Sequence, residues 1–275
     1  MRLSARIAGL SLIAAMAIAP VAAAAEDNAL DRITKAGVVK IAVPDNFPPF
    51  GTQGADGKLH GYDIDTAQLI ADGLGVKLDP VATPSTARIP ELTAGKVDLV
   101  VSSLGKNAER EALINFSVAY APFYSAVFGA QQLAVAKPED LAGKTIAVTR
   151  DTIEDGVLTK LAPAGARIKR YDNNAATETA FLFNETQLIA TGNTVAAEVF
   201  AKSPIKTTTL KFLLQNSPCY VGVAKDQPEL LTRVDAIIAA ARKDGRLDAI
   251  SQRWMKAPLR DPEHPDTHVA AAAKP

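Results

Sequence analysis

Five segments between Val38 and Val101 decide the fold: VVKIAV (38–43), DIDTAQLIADGLG (63–75), VKLDPV (76–81), TARIPELTAGK (86–96) and VDLVV (97–101). The short apolar runs bounded by polar turns predict strands. In 63–75, Ile64, Ala67, Ile70, Ala71 and Leu74 fall on one face at helical spacing, and Gly75 is placed to end the helix. The second helical segment is short and carries Pro90 within its first turns. Strand–helix–strand–helix–strand order argues for an α/β fold with a parallel sheet and crossover helices.

Farther along, the pattern starts again. LAGKTIAV (141–148) is a weak echo of AGVVKIAV (36–43). Helical TIEDGVLTKLA (152–162), strand RIKRY (167–171), helix ATETAFLF (176–183), strand QLIAT (187–191) and helix VAAEVFA (195–201) follow. Two such halves of about 100 residues predict two α/β lobes. A later helix opens at Pro228, buries Leu230, Val234, Ile237, Ile238 and Ala241, and stops at Gly245; LDAISQRWM (247–255) forms another. The stretch after residue 258, rich in proline and ending in an alanine run, is expected to be poorly ordered.

At the other end, Arg2 and Arg6 precede an uncharged, mostly apolar run, Ile7–Ala19, and Ala23-Ala24-Ala25 offers small residues before Glu26. Residues 1–25 therefore read as a secretory signal peptide cut after Ala25. The run is shorter than the ~20 residues a membrane span needs. The 30 basic and 30 acidic residues of the whole chain cancel, and losing Arg2 and Arg6 with no acid leaves 28 against 30. Such a balance excludes a basic nucleic-acid footprint and an acidic disordered tail. The single cysteine, Cys219, excludes an internal disulfide and a multi-cysteine metal site. In an oxidising compartment it is expected to be buried.

Catalytic and metal motifs are missing from the sequence. His264 and His268 are four apart but flanked by Pro262 and Pro265, and His60 sits in a polar turn, GKLHG. There is no GxSxG, Walker or Rossmann glycine pattern. No metal, cofactor or enzymatic activity is expected.

Two loops follow strand ends, where open α/β sheets bind ligands. SSLGKNAER (102–110) reads either as an anion site, with small hydroxyls, a helix start and Arg110, or as an ordinary loop with a surface arginine. PDNFPPFG (44–51) places Phe47 and Phe50, scarce aromatics at 5% of the chain, either over an apolar part of a ligand or back on the core.

DNFPPF, GYDIDTAQLIADGLGVKLD (61–79), RIPELTAGKVDLVVSSLGKNAER (88–110), INFSVAYAPFYSAVFG, LAGKTIAVTRDT and the final DGRLDAISQRW together resemble the family 3 periplasmic solute-binding proteins of polar amino-acid ABC transporters. The likeness spans nearly all of residues 30–256. It implies the type II periplasmic-binding-protein fold: two α/β lobes, each a central mixed sheet flanked by helices, joined by two hinge crossings near Tyr120–Tyr124 and Asn216–Tyr220. Lobe 1 would then be 26–121 plus 219–258, lobe 2 would be 122–218, and 259–275 the tail. The implied protein is a periplasmic monomer without nucleic-acid partners. It closes on an amino acid or related small carboxylate and docks on an inner-membrane ABC permease.

By that resemblance Arg110 grips the ligand carboxylate with Ser103 beside it, and Phe47 lies over the ligand. Arg88 matches an arginine of members that bind acidic ligands, though it is not confined to them. Thr152 caps the carboxylate from the second lobe. Three positions depart from the pattern. Gly105 lacks a frequent hydroxyl, Ser85 replaces a frequent aromatic or leucine, and Gly192 stands where many members carry the aspartate that pairs with an α-ammonium. Asn193, Asp151 or Glu154 would then have to meet an amino group, which is costly to bury unpaired; for Asp151 and Glu154 the other reading is favourable charge at a helix start. Periplasmic dehydratases of cyclohexadienyl acids also resemble these proteins, and on that alternative Glu154 or Glu185 is the candidate general acid.

Overall fold

The computed structural model describes residues 28–201 and 208–262; residues 1–27, with the expected signal peptide, and His264 and His268 lie outside it. Two five-stranded sheets organise the chain. The first has the order Lys77–Ala82, Val38–Val43, Leu99–Leu104, Tyr220–Ala224, Ile114–Phe116. Val38–Val43 pairs in parallel with both of its neighbours, and Tyr220–Ala224 runs antiparallel to both of its own. The second has the order Arg167–Tyr171, Thr145–Thr149, Leu188–Gly192, Tyr124–Ala130, Thr208–Asn216. Its first three strands are parallel and its last two antiparallel to their neighbours. Each sheet is thus mixed, with crossover helices between the parallel strands.

The helix over Tyr62–Leu74 buries Ala67, Ile70, Ala71 and Leu74 as the spacing predicts, and Gly75 ends it in the left-handed conformation. Tyr62 and Asp63 are also buried, so the helix turns a polar end inward at its start. The helix over Pro228–Lys243 buries its five expected apolar residues. Cys219 is free and buried.

Several boundaries differ from the sequence reading. The strand expected over 97–101 runs over Leu99–Leu104, so Ser102 and Ser103 belong to the strand and not to the following loop. Asp98 instead holds the strand entrance: its carboxylate accepts from the Arg32 guanidinium and, at 2.8 Å, from the Lys40 N–H. The loop over 44–51 folds as part of a small antiparallel sheet, Asn46–Phe47, Gly51–Gln53 and Leu59–His60. Thr208–Asn216 escaped the sequence reading because it lacks clean alternation and its pairing shifts register twice. Leu259 is tied down, its N–H donating to Asp248 Oδ1 at 2.7 Å.

The sheets are joined where two backbone segments pair. Ala121 and Cys219 form an antiparallel bridge, the Cys219 N–H donates to Ala121 O at 2.9 Å, and the Ser217 N–H donates to Phe123 O at 2.9 Å. Beside this junction, parallel strands end and helices begin. Asn107 caps Ala108–Leu113, Thr152 caps Ile153–Leu161 and Asn173 caps Asn174–Leu182, each accepting from a backbone N–H of the first turn. The three helix starts follow strand ends, the place where such sheets hold ligands.

Ile41, fully buried on a central strand, is a sensitive point of the first core. Ile41→Ala should lower the unfolding free energy by about 2–5 kcal/mol in urea titrations followed by circular dichroism. A loss under about 1 kcal/mol would contradict this packing.

Candidate ligand-binding site

A pocket opens between the two sheets. Phe47, Ser85, Arg88, Ser103 and Gly105 line it from the first sheet's side. Thr149, Thr152, Glu154, Asn174 and Thr191 face it from the second, and Phe123 and Ser217 reach it from the joining segments. Phe47 stacks on Phe50 at 5.8 Å, while Phe50 is fully buried and meets Phe123 edge-on at 5.6 Å. The two loop aromatics thus divide: Phe50 folds back on the core and Phe47 borders the pocket.

Arg110 is buried, but it lines the adjoining groove and not this pocket. Its Nη1 donates to Gly105 O at 2.7 Å and its Nη2 to Asp151 O at 2.8 Å, so one guanidinium clasps backbone from both sides of the gap. Asp151 contributes this carbonyl from a left-handed backbone (φ 60°), and its side chain stands outside the pocket lining. Asn193 also stays outside, because its Oδ1 accepts from the Tyr124 N–H at 3.2 Å. Glu185 lies elsewhere, accepting from the Tyr171 hydroxyl. Of the acids considered from sequence, Glu154 is the one in the lining, and it is buried there. Phe123, Thr149, Asn174, Thr191 and Ser217 were missed. Their sequence neighbourhoods carry no distinguishing pattern, and only the meeting of distant strand ends brings them together.

The family model for bacterial extracellular solute-binding proteins, family 3, matches residues 39–257. The chain belongs to this family. The L-cystine-binding protein TcyJ of Escherichia coli (strain K12) is 26% identical over 90% of this chain and 94% of its own length. A mutant of ArgBP from T. maritima superposes with a TM-score of 0.77 at 25% identity, covering 83% of this chain and 100% of that one. A cyclohexadienyl dehydratase of Pseudomonas aeruginosa is 32% identical over 96 residues, 35% of this chain and 36% of that protein.

In this family 3 solute-binding protein, the lining residue Gly105 and Gly192, next to the lining residue Thr191, both sit at close approaches. A Cβ at Gly105 would lie 2.3 Å from Ser217 Oγ, and one at Gly192 would lie 2.0 Å from the Phe123 ring. An acid at position 192 would therefore require the Phe123 ring to move, since the ring occupies that space.

The charges are unevenly matched. Arg88 Nη1 donates to Ser102 O at 2.6 Å, but its buried Nε–H has no partner. Burial lowers the Arg88 pKa, against the pull of Glu154. Burial, and next the nearby Arg88 cation, bring Arg110 down to about 9, so the Arg110 guanidinium remains charged at neutral pH. Burial raises the Glu154 carboxyl, while its helix start, Thr152 and the two arginines oppose the rise. Beneath them Asp63 Oδ1 accepts from the Tyr120 hydroxyl at 2.6 Å, and the Tyr120 hydroxyl oxygen in turn accepts from the Ser103 N–H at 3.1 Å. Burial pushes Asp63 up to about 7, and its Oδ2 has no partner.

The folded state therefore keeps the Asp63 proton that the unfolded chain releases near its ordinary value of about 4. From there to about pH 7 stability falls as pH rises, and above that the penalty levels off. Asp63→Asn keeps an acceptor for Tyr120 and should remove this component. In urea titrations across that window the wild type should lose stability relative to the variant; a constant difference would contradict the assignment.

Proposed function

We propose that this protein captures an amino acid or a closely related small carboxylate between its two lobes and delivers it to an inner-membrane ABC permease. On this reading it works in the periplasm after removal of residues 1–25. The observation that carries it is the buried, incompletely paired charge of the pocket. Arg88 presents an N–H without a partner, Glu154 is buried facing the same space, and Arg110 adds a second positive charge close by. A buried donor left unmade costs about 1–3 kcal/mol, more when charged, and a ligand carboxylate removes that cost. Two guanidiniums against one acid leave room for an anion, while Glu154 offers the partner for a ligand ammonium that Gly192 cannot supply.

Closure follows from the same parts. The pocket draws its lining from both sides of the gap, so a ligand there gains contacts with both lobes only when they meet, and it shifts the equilibrium toward that state. The Arg110 clasp on Asp151 and the surface pair Lys160–Glu109 at 3.3 Å hold the same two sides together.

A second reading, dehydration of a cyclohexadienyl acid, is favoured by one observation: a buried carboxyl with a raised pKa, Glu154, sits in the pocket as a general acid would. The partial likeness to the dehydratase agrees with it. Incubation with prephenate or arogenate, followed by absorbance of an aromatic product, tests this reading directly.

A thermal-shift screen against amino acids should find a ligand; one at 100 times its Kd stabilises by about 2.7 kcal/mol. Glu154→Gln should then weaken that amino acid about tenfold or more and leave its des-amino analogue unchanged in calorimetric titrations. Equal affinity of the amino acid for both proteins would remove Glu154 from the ammonium site.

A further inference from the structure

We infer that the Ser217 hydroxyl is a ligand contact, donating to the anionic end of the ligand from the segment that joins the lobes. This deepens the capture reading and rests on it. Ser217 is buried, with 4% of its surface exposed, yet it lines the pocket. Its backbone is pinned by the hydrogen bond from its N–H to Phe123 O. Its hydroxyl makes no hydrogen bond to any described residue. The neighbouring hydroxyls of the second lobe are already engaged: Thr152 donates to Thr149 O at 2.8 Å, and Thr149 bonds Asn174 Oδ1 at 2.9 Å. The Ser217 hydroxyl is thus open to the pocket and available to a ligand placed there.

Its direction comes from Gly105. The Oγ lies 2.3 Å from the place a Cβ at position 105 would occupy, so the hydroxyl stands where a side chain of that strand end would project. The carbonyl of the same Gly105 is held by Arg110. The hydroxyl and the Arg110 guanidinium thus both reach Gly105, and Arg88 lines the same pocket as Ser217, so an anion held there gains from a further donor. Residues 105 and 217 are far apart in sequence, and each makes sense only beside the other: glycine leaves the space, and serine fills it with a donor.

Wild type and Ser217→Ala are titrated calorimetrically with L-cystine, L-arginine, L-glutamine and L-histidine, and then with the carboxamide of whichever binds best. The expected result is a Kd raised about three- to tenfold in the variant for the free carboxylate, equal affinity of the two proteins for the carboxamide, and an unchanged melting temperature without ligand. Ser217→Cys, which keeps the size and weakens the donor, should behave as the alanine variant and serves if alanine disturbs folding. Equal Kd values for the carboxylate would overturn the inference and leave the capture reading intact. A loss of the same size for carboxylate and carboxamide would also overturn it, since the hydroxyl would then be acting elsewhere than on the anion. Failure of the wild type to bind any amino acid or small carboxylate in the thermal-shift screen would overturn the capture reading, and this inference with it.

Discussion

The antiparallel pairing of residues 120–123 with 217–219 is the constraint on which the rest of the molecule depends. These are the strands of chain that join the two sheets, and their mutual hydrogen bonds satisfy backbone groups that burial would otherwise leave unpaired. Cys219 lies within this junction, fully buried. A junction so narrow leaves a gap above it. Strand ends and helix starts of both sheets surround that gap, and Phe123 and Ser217 line its pocket.

Charge is the second theme. Arg88 and Arg110 are both removed from water, and the protein answers their charge with carbonyl oxygens and one buried acid. Carbonyls orient a guanidinium without neutralising it. Below about pH 7 Asp63 does not cancel that charge, because burial keeps its proton on. Its bond to Tyr120 instead supports the Ser103 backbone, which is held at φ 41°, an uncommon conformation for serine.

Much of the fold was legible because its strands and helices carry strong periodic patterns. The helix over 62–74 and the central strands are long enough for burial to select one face. The edge strand over 208–216 was not legible, since a half-exposed strand with shifted pairing has no single apolar face to write into sequence. The site was legible in part. Phe47, Ser85, Arg88, Ser103, Gly105 and Thr152, brought out by the family resemblance, do meet in one pocket. Arg110, Asp151 and Asn193 stand outside its lining for a reason no spacing reveals: Arg110 spends its guanidinium on the Gly105 and Asp151 carbonyls, and Asn193 Oδ1 accepts from the Tyr124 N–H.

By itself the sequence determined the α/β class and the twofold repetition of the pattern, because these follow from local periodicity, and the burial of Cys219 was expected of a lone thiol in an oxidising compartment. The tertiary structure alone decided that Phe123 takes the space at Gly192, that Ser217 takes the space at Gly105, and that Glu154 rather than Asp151 faces the pocket. Those outcomes depend on steric exclusion between residues brought together only by folding, a relation that local sequence cannot encode.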